Sequence, residues 1–274
     1  MFRTVLKLTT CIALLACALP GQAQRARAAA PLVDSDCTFT FSSGTGNTFL
    51  QFCVADTGNI TNIETPEGHE QLVTGLGTDG YGICNVDDGV ASYTDYGVVD
   101  HDSGNWNNPI LLAQTAKSVK IARTTSDGIW TLTQTITQVP TTPAIQVVMA
   151  LKNNTAVPRQ AFLVRWADIN ADNAFNDREN DFSATSNTAA GWNPTIPFAN
   201  NFATALQLEN IGNSQFGFVS GYARTTFHGP NPCNFAGDSS GTPIADTDGS
   251  IALAFVDMIG AKKTKTTTVI YKGF

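Results

Sequence analysis

Apolar and polar residues alternate with period two along most of this chain. In "SVKIART" Val119 and Ile121 share one face, and "SDG" turns the chain. "IWTLTQTI" then returns with Trp130, Leu132 and Ile136 on one side and threonines on the other. "AIQVVMALK" alternates Ile145, Val147, Met149 and Leu151; "AFLVRWAD" alternates Phe162, Val164 and Trp166. "QFGFVSGY", "IALAFVDM" and "TTTVIY" continue the theme, with Gly, Asp, Asn and Pro between runs. β-Branched and aromatic residues at this spacing form strands, because alternate side chains leave a strand on opposite faces. No helical stripe exceeds two turns. The pattern predicts an all-β fold: two antiparallel sheets packed as a β-sandwich, large enough for a supersandwich, with strands concentrated in 37–55, 110–170 and 205–272.

Two stretches, 76–109 and 168–201, break the alternation and are rich in Gly, Asn, Asp and aromatics. Loops this long in a compact domain are commonly functional or held by an ion. They share a small feature: "GNWNNP" contains Trp106 and "AGWNPTIP" contains Trp192. Flat indoles beside amides such as Asn105 and Asn193 suit the C–H faces and hydroxyls of a sugar. The same indoles can equally anchor a long loop to the sandwich. Their common setting predicts that the two loops meet at one end of the molecule.

The N-terminus addresses compartment. Arg3 and Lys7 precede the short apolar run "CIALLACAL", followed by Pro20 and small residues Gly21 and Ala23. This reads as a signal peptide over 1–23, with a second candidate cut after Ala30, leaving 31–274 as a single β-sandwich domain. "LLAC" also fits a bacterial lipobox, in which Cys17 becomes a lipidated N-terminus. Ordinary cleavage is the favoured reading, and both place the protein outside the cytosol, secreted or periplasmic. No later apolar run is long enough for a transmembrane helix.

Of six cysteines, Cys11 and Cys17 lie in the targeting segment, leaving Cys37, Cys53, Cys84 and Cys233. Four thiols in an oxidising compartment predict two disulfides. "CTFTF" and "FLQFCV" flank a turn-rich linker and read as a hairpin; if 41 faces 49, then 37 faces 53. Cys84 is left for Cys233, closing about 150 residues, worth ~4–5 kcal/mol in the chain-entropy account. The formal charge of −7 becomes two units more negative once Arg3 and Lys7 leave. Such a surface argues against nucleic acid as a partner, since phosphate contacts need clustered Lys and Arg. The basic run "KKTK" at 262–265 precedes the last strand and reads as an edge-strand gatekeeper.

The most pointed chemistry lies in "DINADNAFNDREN". With Asp168 as position 1, Asn170, Asp172, Asn176 and Glu179 fall at 3, 5, 9 and 12, which resembles the calcium loop of the EF-hand family. The resemblance implies Ca²⁺ held by side-chain oxygens. It departs at position 6, where Asn173 replaces glycine, and in context, because the loop leaves a strand. Asp177 and Asp181 are the alternative late carboxylates. Weaker signals are "DHDSGNW", where Asp100 and Asp102 can project to one side around His101, and "DTDGS" at 246–250, read as a hairpin turn. "GDSSG" at 237–241 matches the hydrolase G-x-S-x-G pattern without the helix or later histidine that motif requires. The expected function is a secreted, calcium-stabilised binding module with a glycan or cell-surface polymer as partner. The alternatives are an extracytoplasmic hydrolase or lyase, using carboxylates from 168–181 and 100–102, and a structural or adhesion protein.

Overall fold

A computed structural model describes residues 37–73, 79–87, 91–173, 180–195 and 205–273. The strands are β1 (Phe39–Ser43), β2 (Leu50–Val54), β3 (Ile60–Glu64), β4 (Glu70–Leu72), β5 (Asp79–Asn85) and β6 (Ala91–Asp95). After a one-turn helix, Gly97–Asp100, follow β7 (Ile110–Gln114), β8 (Ser118–Thr124), β9 (Trp130–Gln138), β10 (Ala144–Asn153) and β11 (Arg159–Asp168). The remainder are β12 (Asn180–Ala184), β13 (Thr188–Trp192), β14 (Ala205–Asn210), β15 (Phe218–Arg224), β16 (Ile244–Thr247), β17 (Ser250–Ile259) and β18 (Thr264–Lys272).

All pair antiparallel; β5 to β18 form a nine-stranded sheet β16-β12-β13-β14-β18-β10-β9-β8-β7 and a five-stranded sheet β15-β17-β11-β5-β6. Period two is the organising feature. β9 buries Trp130, Leu132, Gln134, Ile136 and Gln138, and its threonines face outward. Registers then align apolar rows across strands: Val119 beside Ile136, Ile136 beside Val147, Val147 beside Val269. Burying each such side chain is worth ~1.5–3 kcal/mol, which outweighs the weaker preference of any one strand for its neighbour.

The expected sandwich is present, but a third sheet joins it. β1-β2-β3-β4 form a separate four-stranded sheet whose Phe41, Phe52, Ile63 and Leu72 enter the same core as the other two. Alternation states which face of a strand is buried; it carries no information about which sheet the strand joins.

Both disulfides pair as expected, Cys37–Cys53 and Cys84–Cys233. The hairpin register differs from the expected one: Phe41 faces Phe52, and Cys53 faces Thr40. Ser42 and Ser43, which sequence spacing assigned to the linker, extend β1, and Phe49 falls outside β2, so the turn closes at Ser43–Leu50 around a short 3-10 turn at Gly46–Thr48. Cys37 therefore reaches Cys53 from just before β1, with Cα atoms 5.4 Å apart, inside the range a disulfide spans.

β11 is buried on both faces. Val164 and Trp166 pack outward against Ala252, Ala254 and Tyr96, while Leu163, Ala167 and Arg165 face the space between the sheets. The alternation that placed Trp166 inside is correct, yet it gives no hint that its charged neighbour Arg165 is inside too. Arg165 is paired with Asp79 and donates to the Tyr271 hydroxyl at 3.0 Å, linking β11 and β5 to β18. A second buried group joins Arg123 of β8 to Asp95 and Asp102, and Asn59 donates to Asp95. Asp79 also accepts from the Ile60 backbone N–H, so each acid stands where all three sheets meet.

Candidate functional site

The candidate site is at the end of the five-stranded sheet where β11 and β15 finish and β17 begins. Asp168 and Arg224 both face Ser250 there, and Asn180, opening β12, faces Thr247 of β16. The segment after β15 then folds back across the sheet. Ser250 Oγ donates to the Thr226 carbonyl at 2.7 Å, Arg224 to the His228 carbonyl at 2.7 Å, and the Tyr96 hydroxyl to the Pro230 carbonyl at 2.7 Å. The Cys84–Cys233 bridge and a Phe235–Tyr222 ring stack at 4.5 Å hold the rest. Arg224 also pairs with Asp238, whose carboxyl burial pushes up against the pull of that guanidinium.

Between this segment and the β16–β17 turn opens a cleft of about 510 Å³, lined by Thr225, Thr226, Phe227, Asp246, Thr247 and Asp248. Phe227 is 36% exposed, and its ring rests against the His228 imidazole at 4.1 Å. His228 Nδ1 contacts Asp100 at 2.8 Å, and Asp100 also accepts from the Gly229 backbone N–H. Asp246, with a left-handed backbone (φ 52°), gives its N–H to Asp181 at 3.0 Å. The cleft thus offers an aromatic face, carboxylates and threonine hydroxyls on a backbone fixed from several sides.

The residues expected from sequence fall in different places. Asp168 and Asn170 are buried, 3% and 4% exposed, and the Asn170 N–H donates to the Gln71 carbonyl. The left-handed residue of the loop is Asp172 (φ 60°), one position before the expected Asn173, and its carboxylate contacts His69 Nδ1. Asn176, Asp177 and Glu179 lie outside the described residues. Among the described residues no cluster of three or more His, Cys, Asp or Glu is gathered as for a metal.

Trp106 is 3% exposed. Its indole N–H donates to the Thr94 carbonyl at 3.2 Å, with Tyr81 and Tyr93 edge-on and the Arg123 guanidinium 5.2 Å from the ring centroid. It is a packing anchor. Asn105 donates to the Ser92 carbonyl, and Asn193, buried, accepts from the Thr195 N–H and hydroxyl. Trp192 is half-buried in β13. The two tryptophans do not meet. Trp106 bridges Thr125 at the Trp130 end of the nine-stranded sheet, whereas Trp192 sits toward the Lys272 end, with β14, β18, β10 and β9 between β13 and β8. Similar composition marks two loops as alike in chemistry without making them neighbours.

Asp100 and Asp102 also part company: Asp102 is buried on Arg123 and Asp100 reaches outward to His228. "DTDGS" is a turn, but not of a hairpin, since β16 pairs with β12 in one sheet and β17 lies in another. Ser239 bonds through its backbone to Ala223 at the edge of β15, and the chain continues into a bend and strand. It is not a strand-to-helix nucleophile elbow. Phe227 carries one signal in the sequence, a lone phenylalanine in the otherwise polar "RTTFHGPNP", too weak to mark a site.

No family model matches the chain, and no curated protein does. Solved structures do. A bacterial glucoamylase complexed with acarbose superposes with TM-score 0.50 at 7% identity, covering 89% of this chain and 33% of the enzyme. A polysaccharide lyase gives TM-score 0.50 at 11% identity, over 84% of this chain and 33% of the lyase. An Escherichia coli K12 protein described as a putative aldose 1-epimerase gives 0.49 at 10% identity, over 86% and 99% of the two chains. This chain therefore spans about a third of the length of the glucoamylase and the lyase. What it shares with them is the β-sandwich fold. No helix among the described residues is long and apolar enough to cross a membrane, and the two disulfides fit an extracytoplasmic protein.

Proposed function

We propose that this protein is a secreted β-sandwich that binds carbohydrate in the cleft between Phe227 and the β16–β17 turn. The observation that carries the reading is the half-exposed Phe227 ring beside Asp246, Asp248 and three threonines in a cleft of about 510 Å³. That is the size of a small-molecule site, and an aromatic face with hydroxyl and carboxylate acceptors matches a sugar ring's C–H face and hydroxyls. The fold's occurrence in a glucoamylase and a polysaccharide lyase supports the same direction. A glycan array should return one family of oligosaccharides, and Phe227→Ala should lower affinity for it about tenfold or more, ~1.4 kcal/mol or above. Unchanged binding in that variant, with the fold intact, moves the site elsewhere.

A second reading, an extracytoplasmic hydrolase, is favoured by the Asp100–His228 contact. Asp100 occupies Nδ1 and so orients the ring, leaving Nε2 to accept a proton from water as general base. Mass spectrometry of bound glycans after long incubation should then show cleavage that His228→Gln abolishes. Intact glycans throughout leave binding as the whole function.

A further inference from the structure

We infer that the glycans this protein takes are cationic: chains of amino sugars whose amines are free and protonated. The inference rests on the cleft reading above and extends that site onto the outer face of the nine-stranded sheet. Asp181 of β12 faces Trp192 of β13 in register, so the two side chains stand side by side on one face. Their neighbours Asn180 and Phe182 are buried, which puts Asp181 on the outside. On the other flank of β12 the pairing with β16 is irregular between Asn180 and Phe182. There the Asp246 N–H reaches the Asp181 carboxylate at 3.0 Å. Trp192, Asp181 and Asp246 thus follow one another across three adjacent strands, ~10 Å from first to last. Asp246 in turn lines the cleft with Phe227. The result is a track with an aromatic side chain at each end and two carboxylates between.

Charge selects the sugar. The cations at this end of the molecule are already paired: Arg224 with Asp238, His228 with Asp100 and His69 with Asp172. Among the described residues no lysine or arginine lines the cleft, and none pairs with Asp181 or Asp246. Neighbouring carboxylates repel one another. An ammonium group lying between them offsets that repulsion and donates charge-assisted hydrogen bonds to both. The flanking rings suit the same ligand, since a π face takes a sugar's C–H groups or a positive charge. A uronic acid has the same ring and the opposite charge, so the track opposes it. A neutral sugar keeps the stacking and gains nothing from the two acids. The formal charge of −7 draws a polycation toward the whole surface, and the track gives it a place to bind.

Trp192 supplies a reporter, because Trp106, Trp130 and Trp166 are buried and Trp192 is only half-buried. Titrating the purified, disulfide-bonded protein with a β-1,4-linked glucosamine hexamer should change its tryptophan emission, and Trp192→Phe should remove that change. The N-acetylated hexamer, which keeps the rings and loses the charge, should bind about tenfold or more weakly. An oligogalacturonate should not compete. Asp181→Asn and Asp246→Asn preserve side-chain shape, and the former keeps an oxygen for the Asp246 N–H. Each should bring the glucosamine hexamer down toward its acetylated counterpart and flatten its sensitivity to salt. Asp257→Asn removes a charge at the far end of β17, about 20 Å from Ser250, and should do neither. Equal affinity for the two hexamers overturns the inference; if both then fall in Phe227→Ala, the cleft reading survives it. An equal loss in Asp257→Asn also overturns it, as general attraction of a polycation to an acidic protein. So does an oligolysine that binds as tightly with the same dependence on Asp181 and Asp246, since the ligand is then a basic peptide. Absence of Phe227-dependent binding to any glycan overturns the cleft reading as well.

Discussion

Asp79 shows what a single buried charge costs and how it is held. Burial pushes its carboxyl up from 3.8 to about 6, against the pull of Arg165, the Tyr271 hydroxyl and the Ile60 N–H. At neutral pH it is ionised and paired. A carboxyl whose native pKa exceeds its unfolded value contributes stability that is fully present below pH 3.8 and is lost as pH rises through about 6. Carbon-detected NMR should therefore find Asp79 titrating near pH 6, well above surface carboxyls. Arg165→Met removes the largest influence lowering that pKa, so the titration should move higher still. The variant should lose up to roughly 3–5 kcal/mol at pH 7, where Asp79 must either stay charged without its partner or take up a proton, and less near pH 5, where Asp79 is protonated in parent and variant alike. A titration unmoved by Arg165→Met would mean that the pair does not govern Asp79.

Among the elements, the loop that leaves β11 carries the sharpest expectation from sequence. We propose that calcium binds it, with Asp168 and Asn170 as early ligands and Asn176, Asp177 or Glu179 as late ones. Two buried oxygen-bearing side chains at the end of a buried strand fit a structural ion, whereas Asp172 is engaged by His69. Calcium at about 100 times its Kd should add roughly 2.7 kcal/mol to unfolding stability, because it binds the native state alone. Asp168→Ala should abolish the increment. Identical unfolding curves in EDTA and millimolar calcium would overturn the proposal.

For the whole molecule, we propose that a leader over residues 1–23 is removed, so that N-terminal mass spectrometry of secreted material should find a chain beginning at Gln24, or at Pro31 if the cut follows Ala30. A lipid-modified Cys17 would replace that reading with membrane attachment. Within the folded part, the sequence by itself determined the strands of 37–55, 110–168 and 205–272, the disulfide partners and the faces of β8, β9 and β10, because period two and cysteine parity are local or countable. It missed β3 and β4, and it read as loops the stretches that hold β5, β6, β12 and β13, whose Gly- and Asn-rich runs lack alternation. It did not determine the third sheet, the hairpin register or the inward turn of Arg165. Those depend on which strands meet, and the same alternating run can join any sheet that buries its apolar face. The cleft is the furthest case: Phe227 and Asp246 are 19 positions apart and join two sheets. They line one cleft because β15 and β16 end where β17 begins, which only the tertiary structure decides.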